Sequence, residues 1–274
     1  MIVPFAGGVE DAERLAGSLS VLELSAGDEI VVADNSLEGS YPEGFGARVV
    51  RATGERSSYF ARNAGAEAAG GEWLVFTDSD CVPVPWLFDA YFAERPADEV
   101  GALAGSVISD PAQRHFLARY ATDRGFLDQE AGLHTAEDAA ATANLAVRRA
   151  AFDEIGGFTE GIRSGGDLDL CRRLIEAGWR IDRRPEAVVT HLHRESLPDL
   201  MGSIARYAAG ARWLNERYPG TAPAWPLVPG LVHCAKDIAG DLARRRFEEA
   251  GFRSVDALGM FAHSIGYRRS NAAS

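Results

Sequence analysis

Four consecutive apolar residues, Trp73-Leu74-Val75-Phe76, run straight into Thr77-Asp78-Ser79-Asp80, and no other stretch of the 274-residue chain restricts the fold more. Such a run is a fully apolar strand, and its end carries two carboxylates at i and i+2. Short apolar runs recur at Ile2–Phe5, Glu29–Ala33 and Arg48–Arg51. Helical spacing fills the gaps: Glu10–Leu24 carries Leu15, Leu19 and Leu22, and a second helix runs from a Ser57 or Ser58 cap through Ala61, Ala64 and Ala68 to the Gly70-Gly71 stop. Strands that alternate with helices predict an α/β fold with a mostly parallel sheet flanked by helices. Ligands of such sheets bind beyond the carboxyl ends of the strands. Asp34, at the end of the second strand, and Asp78 with Asp80 are therefore expected to face one crevice.

Farther along, the pattern predicts a strand at Val100–Ile108, a helix at Ala112–Leu127 and a loop at Gly132–Ala141. Thr142–Val147 leads to a helix at Arg149–Ile155, and Gly165-Gly166 precedes a helix at Asp167–Ala177. Short strands follow at Trp179–Arg183 and Ala187–Thr190, and the pattern is helical from Leu197. The proline-rich stretch Pro219–Pro229 marks a boundary. It divides the chain into an α/β unit, 1–218, and a helical C-terminal extension, 219–274, in which Leu227–Tyr267 reads as two amphipathic helices broken near Gly251.

Composition narrows the function classes. The formal net charge of −12 would repel a nucleic-acid backbone, so no nucleic-acid partner is expected. Cys81, Cys171 and Cys234 are too widely spaced for a zinc set or a disulfide framework and read as reduced structural thiols. No uninterrupted apolar run approaches the roughly 20 residues that span a bilayer. Together with an N-terminus that enters a strand at once, this gives a cytoplasmic expectation.

Several side chains could carry chemistry. Two neighbouring carboxylates repel each other unless a cation sits between them, and Mg²⁺ or Mn²⁺ would take one or two of them with phosphate oxygens; the alternative is a solvated acidic turn. Asp34 either accepts hydrogen bonds from a base or ribose, or forms an Asx-turn at the strand exit. Arg62, one turn into a small-residue helix, either reaches a diphosphate or pairs with an acid. Asp167 opens a helix, where the dipole favours the ionised form; it serves as general base or as a cap alone. His191 and His193 alternate and face one side of an extended strand, where one completes a metal shell or both are plain strand residues.

In order, these pieces resemble the family 2 glycosyltransferases. The resemblance rests on Pro4, Asp34-Asn35-Ser36, Ala61-Arg62-Asn63-Ala64-Gly65, Asp78-Ser79-Asp80, Pro85-Trp86-Leu87, Asn144-Leu145-Ala146-Val147-Arg148-Arg149, Gly156-Gly157-Phe158 and Asp167-Leu168-Asp169-Leu170-Cys171-Arg172-Arg173-Leu174. It implies a GT-A fold, a nucleotide-diphosphate sugar donor (UDP by default) and inversion at the anomeric carbon. By the same resemblance Pro4 and Arg62 belong to the donor site, and Asp34 contacts the base or ribose. Asp78 touches ribose or metal, Asp80 ligates Mg²⁺ or Mn²⁺, and His191 adds to that shell. Asn144 lies near the transferred sugar, and Asp167 deprotonates the acceptor.

Three positions depart from the family pattern. Asp34-Asn35-Ser36 replaces Asp-Asp-Gly-Ser, Gly166-Asp167 replaces Glu-Asp, and Ala209-Gly210-Ala211-Arg212-Trp213 replaces the Gln-x-x-Arg-Trp of processive members. Single addition to a small-molecule or lipid-linked acceptor is therefore expected. Two other readings stand beside it. One is an inactive sugar-nucleotide-binding protein, suggested by Gly166. The other is a nucleotidyltransferase, against which Ala6-Gly7-Gly8-Val9-Glu10 lacks basic residues. In the extension, Arg244-Arg245-Arg246 and Arg268-Arg269 lie beside Phe247, Phe252, Met260 and Phe261. A basic amphipathic helix of that kind fits a peripheral contact with the inner face of the membrane, a homodimer contact, or packing on the core.

Overall fold

The structure, a computed structural model, describes residues 1–42, 46–126 and 140–273. Among the described residues the strands are β1 (Ile2–Phe5), β2 (Val31–Asp34), β3 (Arg48–Arg51), β4 (Trp73–Thr77), β5 (Cys81–Pro83), β6 (Val100–Ser109), β7 (Asn144–Arg148) and β8 (Arg180–His191). They form one eight-stranded sheet in the order β3-β2-β1-β4-β7-β6-β8-β5. β1 to β4 run parallel. β7 is antiparallel to both β4 and β6, β8 is parallel to β6, and β5 is antiparallel to β8. The carboxyl ends of β1, β2, β4, β6 and β8 consequently share one edge.

The helices are α1 (Val9–Leu19), α2 (Ser58–Ala68), α3 (Leu87–Phe92), α4 (Phe116–Asp123), α5 (Arg149–Glu154), α6 (Gly166–Glu176), α7 (Leu197–Arg217), α8 (Leu227–Ala243) and α9 (Phe247–Gly266). The two-residue period of the strands sorts their side chains to the two faces. Val3, Phe5 and Val75 join Leu15 and Leu19 of α1 on one side, while Ile2, Leu74 and Phe76 meet Tyr59 of α2 and Leu170 of α6 on the other. Both faces are apolar, which is why Trp73–Phe76 shows no polar alternation.

Several motif residues hold this frame. Ser57 caps α2, accepting from the Tyr59 amide and donating to the Ile162 carbonyl. Asn63 accepts from the Phe158 amide at 2.9 Å and donates to the Phe158 carbonyl at 3.0 Å, pinning the Gly156-Gly157-Phe158 turn to α2. Arg149 donates to the carbonyls of Ala66, Ala69 and Gly71, which satisfies the open end of that helix.

The remaining boundaries shift for local reasons. The two short strands expected at Trp179–Arg183 and Ala187–Thr190 are one strand, β8, which absorbs Pro185 through an irregular register opposite Gly105 and Ser106. α1 and α4 are shorter than the sequence spacing suggested, and β5 was not foreseen. Most of the loop expected at 132–141 lies outside the described residues. The C-terminal helices break at Arg244–Arg246 and not at Gly251, which lies inside α9. Arg244 is the C-cap of α8, Arg245 has φ 59, and Arg246 pairs with Asp241, so the basic triplet forms a turn instead of a helix face. The basic helix face expected of Arg244-Arg245-Arg246 is therefore absent, while Arg268-Arg269 follow the end of α9.

α9 packs on α7 at a glycine: a Cβ on Gly266 would stand 2.1 Å from the Ala205 carbonyl oxygen. Beyond α9 the chain returns to the sheet domain, where the Arg163 amide donates to the Asn271 carbonyl and Asn271 donates to the Ser164 carbonyl. Gly266→Val is expected to lower unfolding stability by about 1–3 kcal/mol through overpacking, read as a lower urea midpoint at unchanged slope.

Candidate active site

The carboxyl edge of the sheet opens into a crevice of about 460 Å³. Asp78-Ser79-Asp80 forms its floor. The turn after β4 is closed by the Cys81 amide donating to the Asp78 carbonyl, and the Leu192 amide donates to the Asp80 carbonyl at 2.9 Å. Cys81 and Ser109 both stand opposite His191 in register. These backbone bonds bring the acidic turn and the end of β8 together from more than a hundred residues apart.

The two acids have opposite electrostatics. Burial pushes the Asp78 carboxyl up, and Asp80 and Asp167 add to this against the opposing pull of Arg62. Burial acts on Asp80 in the same sense but is outweighed by His191 and Arg194, so its carboxyl is held below the usual range. Asp80 Oδ2 lies 3.6 Å from His191 Nε2 and 3.3 Å from Arg194 Nη2. Arg62 is buried, ion-paired with Asp78 and lies over the rings of Tyr59 and Phe158 at 5.5 and 5.7 Å. Tyr59 stacks on Phe158 in turn. One guanidinium thus neutralises one acid and leaves the other exposed to cations.

Asp167 also lines the crevice, with Pro4 and Arg62. It is the second residue of α6, not the N-cap, which is Gly165 at φ +88. The Thr142 amide donates to Asp167 Oδ2 at 3.1 Å. The glycines before it serve packing. A Cβ on Gly166 would meet the Tyr59 ring at 2.7 Å, and one on Gly165 would meet Leu214 at 3.0 Å. Tyr59 fills the space that a side chain at position 166 would need. Burial and the nearby Asp167 carboxylate keep the Tyr59 phenol well above its usual range, hence neutral.

Three residues named from the sequence, Asp34, Asn144 and His193, lie away from the crevice lining. Asp34 is fully buried: it accepts from the Ser36 amide at 2.9 Å, the Tyr41 amide at 3.2 Å and Arg51 at 2.8 Å, the first of these being an Asx-turn. Arg51 reaches it because the two face each other across β2 and β3. The neighbouring Asn35 lines the crevice instead. Asn144 sits under the sheet edge, accepting from the Tyr91 hydroxyl at 2.6 Å and donating to the Ser106 and Ala187 carbonyls at 2.9 and 2.7 Å. His193 turns from Asp80 to Ser109, 2.8 Å away, and burial with the neighbouring His191 and His115 pushes its imidazole down to about 4.

Sequence reasoning missed the cations. Arg56, Arg163, Arg194 and Arg206 line the crevice beside Arg62, so five arginines face Asp78, Asp80 and Asp167 in a chain of net charge −12. The signal was their position: Arg56 precedes the Ser57 cap, Arg163 precedes the Gly165-Gly166 turn, and Arg194 follows the histidine pair. Among the described residues no three or more His, Cys, Asp or Glu side chains gather as a closed metal cage. Asp80 and His191 still fit a shared divalent ion, because such an ion takes few protein donors when diphosphate oxygens complete its shell. His191 presents Nε2 to Asp80, while its Nδ1 is buried without a hydrogen-bond partner.

The family model of glycosyltransferase-like family 2 matches residues 30–213. The chain belongs to that family. Among its curated relatives, the pre-mycofactocin glycosyltransferase of Mycobacterium tuberculosis is 29% identical over 271 residues, covering 91% of this chain and 57% of the relative. The chain therefore spans a little over half the length of that relative. Glycosyltransferase AglE of Haloferax volcanii is 27% identical over 138 residues, covering 50% of this chain and 45% of the relative. Among solved structures, mannosyltransferase PcManGT from Pyrobaculum calidifontis, in complex with GDP-Man and Mn²⁺, superposes with a TM-score of 0.62 at 19% identity, covering 97% and 85% of the two chains. Glucosyl-3-phosphoglycerate synthase from Mycobacterium tuberculosis, in complex with Mn²⁺, UDP-Glc and phosphoglyceric acid, gives 0.55 at 17% identity over 79% and 78%. This family 2 chain has the GT-A fold.

The Asp34 cluster carries a pH signature. Burial opposes ionisation, but the hydrogen bonds from Ser36, Tyr41 and Arg51 outweigh it and hold the carboxyl below its usual value. A depressed carboxyl stabilises the fold above its unfolded pKa of about 4 and loses that contribution as pH falls through the folded value. Asp34→Asn is expected to lower the urea midpoint at pH 7 and to make the decline toward about pH 3 shallower than in the parent.

Proposed function

We propose that this chain is a metal-dependent, inverting glycosyltransferase that moves one sugar from a nucleotide-diphosphate donor, UDP by default, to an acceptor hydroxyl. The observation that carries the reading is the cationic crevice itself. Five arginines, an ionised Asp80 and a facing His191 converge at the carboxyl ends of the strands, the place where an open α/β sheet binds its ligand. That environment suits a dianionic diphosphate. Two solved structures of the same fold contain Mn²⁺ with a sugar nucleotide, GDP-Man in one and UDP-Glc in the other.

In this reading Asp80 and His191 would hold Mg²⁺ or Mn²⁺, which when bound neutralises charge on the departing diphosphate. Arg194, already 3.3 Å from Asp80, and Arg206, which lines the same cavity, share that task. Asp78 acts through its pairing with Arg62 and through its position beside the donor; Pro4 and Asn35 border the same cavity. Asp34 and Asn144 contribute by shaping the donor loop and the sheet edge. Asp167, oriented by the Thr142 amide at the positive end of α6, takes the acceptor proton. The acceptor oxygen forms a bond to the anomeric carbon as the bond to the diphosphate oxygen breaks, and attack from the face opposite the leaving group inverts the centre.

Gly166, with Tyr59 in the space beside it, favours a second reading in which the crevice binds a sugar nucleotide without turnover. A panel of UDP-, GDP- and dTDP-sugars with Mn²⁺ or EDTA separates the two. Release of nucleoside diphosphate that EDTA abolishes is expected, whereas tight binding without release supports the second reading. Asp167→Asn is expected to reduce kcat by about 10²–10⁴ while donor affinity stays within roughly twofold. Lost donor binding with unchanged turnover per bound complex would remove Asp167 from the role of base.

A further inference from the structure

Beside the crevice lies a second, apolar chamber of about 730 Å³. α4, α7, the 221–226 segment and α9 wall it, and its surface is set by side chains such as Leu117, Phe126, Leu200, Ile204 and Trp225. It meets the crevice at His191, Arg194 and Tyr207, which line both. His191 and His263 line it, and the Nδ1 of each is enclosed by protein without a hydrogen-bond partner. His263 is held flat against Trp225, with ring centroids 4.1 Å apart and planes within 1°.

We infer that this chamber holds the acceptor, and that the acceptor is a small molecule with an apolar body and a nucleophilic hydroxyl at one end. The apolar body lies between α4, α7 and the 221–226 segment. The hydroxyl end passes His191 and Tyr207 into the crevice that Asp167 lines. The inference rests on the glycosyl-transfer reading for its chemistry. A free sugar would leave the chamber's apolar walls unmatched, and the volume suits a compact ligand. A bilayer lipid is disfavoured by the chain's charge of −12, which repels an anionic membrane surface, and by the folding of the basic triplet into a turn.

Isothermal titration with octyl β-D-glucoside, below its micelle concentration, against methyl β-D-glucoside tests this directly. The octyl compound is expected to bind at least about tenfold tighter, a ratio that burial of two methylenes already produces. Ala211→Phe, which places a ring in the chamber, is expected to erase the preference and leave UDP affinity within about twofold. Thr221→Trp, on the exposed rim, gives the same readout should Ala211→Phe fail to fold. Equal affinity for the two glucosides in protein that binds UDP would overturn the acceptor class. An octyl preference without any UDP binding would overturn the proposed function and leave the chamber assignment standing. Co-sedimentation with phosphatidylglycerol vesicles that Ala211→Phe abolishes would also overturn the inference, with a bilayer lipid as the occupant.

Discussion

The pairing of Arg62 with Asp78 is the interaction on which the crevice depends. Two carboxylates at a strand end, with Asp167 facing them, would repel one another and resist burial. The guanidinium of Arg62, enclosed by Tyr59 and Phe158, removes one charge from that balance. Asp80 is then free to remain ionised beside His191 and Arg194. The arrangement needs α2 to lie close against the sheet, which Ala61 and Gly65 permit: a Cβ on Gly65 would stand 2.6 Å from Ile2. Small residues in α2, an arginine among them and an acid on β4 therefore form one device.

Much of the remaining polar sequence holds that device in place. Asn63 pins the glycine turn, Arg149 closes the end of α2, and Asn144 joins β7 to the carbonyls of Ser106 and Ala187. Each satisfies buried backbone groups that would otherwise be unpaired. Asp34 belongs with them, since its oxygens are taken by Ser36, Tyr41 and Arg51. A motif residue of such a family can thus act on the ligand at one remove, by fixing the loop or edge that meets it.

The legible part of the site was the part encoded locally. Asp78 and Asp80 were readable because an apolar strand ending in two acids has few bland explanations, and Arg62 because it stood in a helix of small residues. His191 and His193 looked equivalent in an extended strand; only the packing of Ser109 against one and Asp80 against the other separated them. Gly165 and Gly166 are small because Leu214 and Tyr59 stand against them, which no local pattern announces. Arg56, Arg163, Arg194 and Arg206 passed unnoticed because each stands alone in sequence, and charge convergence from four separate segments leaves no local pattern.

By itself the sequence determined the alternation of strands and helices, the two-faced burial of the sheet and the placing of the acids at a strand end. Those properties follow from side-chain period and backbone geometry within a few residues. The tertiary structure alone decided which acid is neutralised, which histidine faces Asp80, and how α4, α7 and α9 enclose an apolar chamber against the crevice. Charge and hydrophobicity act through space over several ångströms, so their sums are set by neighbours that only the folded chain brings within reach.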